Sequence, residues 1–167
     1  MPDEPYRRRS ARVLLVDGAD RLLLFRFRFH NGRRESDHCW LTPGGGVDER
    51  EPLPVAAARE LREETGLVVE PEEIGPLVAT TSGYADLGWA AGVFRDDFFY
   101  HRTPAHEVDV SGLEAGEQKW IIGHRWWTAE ELASTRENVY PLGLAALMTD
   151  LLADRIPEEP VRLPWHH

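Results

Sequence analysis

The chain has 167 residues, a single cysteine, 42% hydrophobic residues and a formal net charge of −10. That length and apolar fraction suit one globular domain with its own core. The acidic balance argues against a general affinity for nucleic acid polymers, the lone Cys39 excludes an intramolecular disulfide framework, and the polar start Met1–Ser10 is unlike a signal peptide.

Ala11–Val16 and Arg21–Phe29 are predicted strands joined by the turn Asp17-Gly18-Ala19-Asp20. In the second, Phe25, Phe27 and Phe29 alternate with Arg26 and Arg28, giving one apolar and one basic face. Residues 30–38 form a polar loop, and Trp40-Leu41 is a short strand entering Gly44-Gly45-Gly46. There the missing side chains let the backbone pass close to a cation or a phosphate. Pro52 and Pro54 stand where the first turn of a helix tolerates proline. Ala56, Ala57, Ala58, Leu61 and Arg62 favour that helix, and Gly66 is a natural stop.

On this helix Glu60, Glu63 and Glu64 stand at i, i+3 and i+4, within an arc of roughly 100°. Three carboxylates on one face repel each other. A hard divalent cation, Mg2+ or Mn2+, removes the repulsion because it favours oxygen ligands. Arg59 adds a compensating charge beside the cluster, suited to holding a carboxylate or a phosphate.

Beyond the helix, Leu67–Val69, Leu77–Thr81, Val93–Arg102 and Trp120–Trp127 are strand candidates. Thr128-Ala129-Glu130-Glu131 has capping-box spacing for a short helix through Leu132. Leu142–Ala153 follows as an amphipathic helix, and Pro157–His167 as a loose tail. Strands around two principal helices predict the α/β class, a mixed sheet sandwiched between helices. We divide the chain into a flexible N-terminus (1–9), one domain (10–155) and a C-terminal tail (156–167).

The segment Gly45 to Leu67 matches G-x5-E-x7-R-E-U-x-E-E-x-G-U, U being aliphatic, at every specified position. An E-L-R-E-E-T run alone is common on solvated helices, but Gly45 and Glu51 upstream and Gly66-Leu67 downstream complete a pattern that resembles the Nudix box. The resemblance implies an α/β/α Nudix fold with a loop-helix-loop metal site. It also implies hydrolysis of a diphosphate linkage in a nucleotide-type small molecule by water, with Mg2+ or Mn2+. The metal-binding glutamates of the family correspond to Glu60, Glu63 and Glu64, with Gly45 shaping the loop or offering its carbonyl. Some members recruit a base outside the box, for which Glu117 is the candidate and Glu114 the second. Glu51 is expected to favour the helix start through its dipole rather than to bind metal.

Arg26, Arg28, Arg59 and Tyr84 are candidate substrate contacts. Tyr84 falls 17 positions after Leu67, which resembles the marker of dinucleoside polyphosphate hydrolases. Pro71 and Pro76 are too near the box for the ADP-ribose marker, and the longer motif of NADH-cleaving members is absent. Trp40, Trp89, Trp126 and Trp127 are candidates for stacking on a base. The expected partners are a small molecule and neither nucleic acid polymer nor membrane; a homodimer is compatible with the family, and the compartment is a reducing cytoplasm. Two alternatives belong to other classes. A ligand sensor of the family usually lacks box glutamates, which this chain keeps. An isopentenyl-diphosphate-type isomerase uses a site cysteine, and Cys39 lies several residues early for it.

Overall fold

The computed structural model describes residues 6–28, 38–86, 88, 90–113 and 120–165. In chain order it contains β1 (Arg8–Val16), β2 (Leu22–Arg28), β3 (His38–Leu41), β4 (Gly44–Gly46), α1 (Leu53–Thr65), β5 (Leu77–Asp86) and β6 (Ala91–Arg102). Then come β7 (Ile121–Trp127), α2 (Ala129–Ser134), β8 (Val139–Tyr140), α3 (Leu144–Leu152) and β9 (Val161–Arg162). The strands form one mixed sheet in the order β8-β3-β2-β1-β6-β5-β9, with β4 on β1 and β7 on β2.

The two-residue period of β1 sorts its side chains to opposite faces. Ala11, Val13 and Leu15 join Ala56, Ala57, Ala58 and Leu61 of α1 in one core. Leu14 and Val16 join Leu144, Leu147, Met148 and Leu151 of α3 in the other. The sheet therefore lies between helices, as expected. The Asp17 carboxylate closes the β1–β2 turn by accepting from the backbone N–H groups of Ala19 and Arg21. Thr128 and Glu131 make the anticipated reciprocal capping box at the start of α2.

One strand edge decides where the site lies. β1 pairs in parallel with β6 along its whole length, but pairs with β2 only at Val16↔Leu22. Toward its start β1 takes β4 instead, and β2 takes β3. The chain crosses this parting at Thr42-Pro43, where Pro43 C=O accepts from Val13 N–H at 2.9 Å and Thr42 C=O from Arg12 Nη1 at 2.9 Å. At the start of β1, Arg9 faces Arg95 across the pairing, a repulsive register on its own. The fully buried Asp97 accepts from both guanidiniums, and the Tyr6 ring lies under each at 5.8 and 5.6 Å.

Two segments differ from the sequence expectations. Leu67–Val69 forms no strand; Leu67 and Val69 lay their side chains on the α1 core while Val68 faces out, and a 3-10 turn starts at Pro71. Alternation alone does not distinguish that arrangement from pairing. The described part of the predicted tail, residues 157–165, is tied to the sheet rather than loose. Val161–Arg162 pair in parallel with β5, and Leu163 is buried among the α3-side residues. The Thr81 hydroxyl, 0% exposed, donates to the carbonyls of Leu163 at 3.1 Å and Pro164 at 3.2 Å. Thr81→Val is accordingly expected to lower stability by about 1–3 kcal/mol. Urea unfolding measures this, and an unchanged midpoint would mean that the hydroxyl does not hold the segment.

Candidate functional site

The parting of β1 from β2 opens a cavity of about 400 Å³. Both faces of the sheet contribute to its lining: Phe25, from the α1 side, and Phe98, from the α3 side. Glu60 and Glu64 line it beside the glycine loop, and Arg8, Arg12 and Asp96 supply further charge. The two glutamates are buried, at 6% and 5% exposure. Carboxylates are rarely so covered without a task or strong partners.

The partners come from the loop and from the helix itself. Gly44 N–H donates to Glu64 Oε2 at 2.8 Å. A Cβ on Gly44 would fall against the carbonyl of Ala11, and its φ of +141° is one that side chains avoid. At Gly45 a Cβ would stand 2.6 Å from Glu60 Oε1, so only glycine lets this carboxylate lie against the loop. Arg59 ties the rest together. Its Nη1 donates to Glu60 Oε1 at 3.0 Å and lies 3.5 Å from Glu63 Oε2. Its Nε and Nη2 grip the two oxygens of Glu51 at 2.9 Å each, and Nη2 also reaches Gly46 C=O at 3.0 Å. These hydrogen bonds hold the Glu51 carboxyl below the usual carboxylate range and raise the pKa of Arg59.

At its far end α1 stops on Gly66 in the left-handed conformation, and the Thr65 carbonyl contacts Asp109 N–H at 2.9 Å and His106 Nε2 at 2.8 Å. The helix is thus fixed at both ends, with its acidic face toward the glycine loop.

The chain that carries this loop and helix is matched by the NUDIX domain family model over residues 6–145. The chain belongs to the NUDIX domain family. It is 32% identical over 159 residues to an RNA pyrophosphohydrolase of Caulobacter vibrioides, covering 86% of this chain and 87% of the relative. It is 36% identical over 163 residues to an RNA pyrophosphohydrolase of Teredinibacter turnerae, covering 89% of each. The fold is shared with the MutT NUDIX hydrolase of Burkholderia pseudomallei at a TM-score of 0.60, with 21% identity over 83% of this chain and 94% of that one. The protein is a pyrophosphohydrolase acting on phosphorus-containing acid anhydrides.

Nudix hydrolases generally use a divalent metal ion. The donor set here suits a hard cation: two buried carboxylates, Glu60 and Glu64, beside a loop that leaves no room for a Cβ. Among the described residues no three His, Cys, Asp or Glu side chains converge as a ready ligand set.

The other sequence candidates are distributed as follows. Glu63 sits outside the cavity lining, its carboxylate turned toward Arg59. Arg59 itself is committed to glutamates and the Gly46 carbonyl. Arg26 contacts His38 at 3.3 Å, which in turn meets Glu137 at 3.1 Å; Arg28 is exposed, and neither arginine lines the cavity. Phe25 and Phe27, the alternate residues, do line it. Tyr84 is 63% exposed and presents its carbonyl, not its ring, to a neighbour. Glu114, Glu117 and Trp89 lie outside the described residues. Trp40 and Trp127 are buried and pack edge to face, 5.1 Å between centroids. Burial pushes the Cys39 thiol up to about 11, as befits a structural thiol, with the Arg12 charge opposing.

Several cavity residues escaped the sequence reading. Arg8, Ser10 and Arg12 alternate with Arg9, Ala11 and Val13, so their shared face was open to inference. Nothing local marked Phe94, Asp96 or Trp165.

Proposed function

We propose that the protein hydrolyses a diphosphate linkage in a nucleotide-type substrate with Mg2+ or Mn2+ as the ion, held by Glu60, Glu63 and Glu64. The observation that carries this reading is the cavity in which buried Glu60 and Glu64 share a lining with Arg8, Arg12 and several aromatic rings. Carboxylates suit the cation, arginines the phosphate oxygens, and aromatic rings a base. Water adds to one phosphorus, the bridging P–O bond breaks, and the second phosphoryl group departs with the bridging oxygen. A bound cation would neutralise the charge on the non-bridging phosphate oxygens and lower the pKa of the attacking water. The Gly44 N–H orients Glu64, and Arg59 orients Glu60, which positions or deprotonates the water. Glu117 is our candidate for a base outside the box.

A second reading is favoured by the two relatives named RNA pyrophosphohydrolase. In it the diphosphate belongs to the 5′ end of an RNA chain. The net charge of −10 opposes broad binding along a polymer but not capture of one terminal nucleotide.

The test is release of phosphate or pyrophosphate from ADP-ribose, diadenosine polyphosphates, NADH, nucleotide sugars, nucleoside triphosphates and a short 5′-triphosphorylated RNA. Turnover is expected with Mg2+ or Mn2+ on at least one of these, and chelation is expected to abolish it. Turnover that survives chelation, or silence across the whole set, would sink the reading. RNA cleaved faster than every free nucleotide would select the second form.

A further inference from the structure

We propose that Trp165, carried by the C-terminal strand, forms the wall on which the base of the nucleotide stacks, a specificity-determining contact that rests on the nucleotide reading above. Trp165 lines the same cavity as Glu60 and Glu64. Its indole N–H donates to the Tyr84 carbonyl at 3.0 Å, which anchors the polar edge of the ring to β5. One side of the indole lies against Gly83, where a Cβ would collide with Cγ, Cδ1 and Nε1. Ala85, Ala90 and Phe94 pack with it, two small residues and one aromatic ring. The approach is bought by sequence at two sites, glycine at 83 and the buried Thr81 hydroxyl that grips Leu163 and Pro164.

The spacing suits a nucleotide. Gly83 on β5 pairs with Phe94 on β6, Phe94 with Arg8 on β1, and β1 with the glycine strand that faces Glu60. Three strand-to-strand steps of about 4.8 Å place the ring roughly 14 Å across the sheet from the carboxylates. Arg8 and Arg12 stand on the strand between, where the phosphate chain would run. A planar base against the indole, phosphates over the arginines and the scissile bridge at the glutamates occupy the cavity in that order.

The test measures binding without turnover, on the full chain with Mg2+ present. The probes are a nucleoside diphosphate with a non-cleavable methylene bridge and methylenediphosphonate, which has the same bridge and no base. Trp165→Ala is expected to weaken the nucleotide probe about ten-fold and leave the base-free probe unchanged. Trp165→Phe, which keeps a stacking face, is expected to recover most of the loss. Gly83→Ala keeps the tryptophan but drives its ring off β5, and is expected to behave like Trp165→Ala. Equal nucleotide affinity in wild type and Trp165→Ala, equal losses for both probes, or a wild type that binds no nucleotide would overturn the proposal. Trp165-dependent nucleotide binding by a wild type that cleaves none of the diphosphate compounds would instead defeat the hydrolase reading alone.

Discussion

Glu64→Gln is expected to cut turnover by about 10²–10⁴-fold while leaving the fold intact. Glutamine keeps the shape and still offers an oxygen to the Gly44 N–H, so the loop has no reason to move. What is lost is negative charge at a buried position next to Glu60. Without cation, that loss relieves repulsion between like charges, so the unfolding midpoint should hold or rise slightly. With Mg2+ added, the wild type should gain stability by mass action and the variant should gain much less. Turnover close to wild type would remove Glu64 from the site. A midpoint many degrees lower would instead make its role structural.

Arg59→Ala should act on both stability and turnover. The guanidinium serves Glu51, Glu60, Glu63 and the Gly46 carbonyl, and its removal leaves a largely buried acidic cluster without its cation. Breaking such a pair from one side costs about 3–5 kcal/mol when fully buried; Arg59 is 30% exposed, so about 2–3 kcal/mol is expected. Arg59→Lys should recover little, because one ammonium cannot grip both oxygens of Glu51. The pH dependence has a definite sign. The Glu51 carboxyl is lowered in the folded state, chiefly by hydrogen bonds from Arg59, so its stabilisation is complete above its ordinary value of 4.5 and fades as pH falls through the folded value. Stability curves of wild type and Arg59→Ala should therefore converge in acid. Parallel curves down to pH values well below 4.5 would refute the pairing as a source of stability.

Both expectations concern α1, the part most legible in the sequence. Its limits follow from proline, alanine and glycine chemistry, and the spacing of Glu60 and Glu64 suffices to put both on one face. The alternation in β2 was equally visible, and it correctly separated Phe25 and Phe27 from Arg26 and Arg28. Which face would meet the cavity was not visible, because that depends on β1 exchanging β2 for β4. Trp165 was hidden for a related reason. A two-residue strand carries no period, and its pairing with Thr80 spans about half the chain. Glu51 was assigned to the helix dipole, yet its carboxylate turns to Arg59 and the Asp48 N–H. Spacing along a chain does not tell which of two nearby donors a carboxylate will choose.

The parting in the sheet has a mechanical consequence. The β3–β4 crossing at Thr42-Pro43 is a tether: covalently it leaves the β2 side, and by hydrogen bonds it is fastened to Val13 and Arg12 on the β1 side. At the next residue the same tether presents the Gly44 N–H to Glu64. Any spreading of the two halves there must therefore pull on the amide that orients a cavity-facing carboxylate, so the cavity registers tension between the two halves of the sheet.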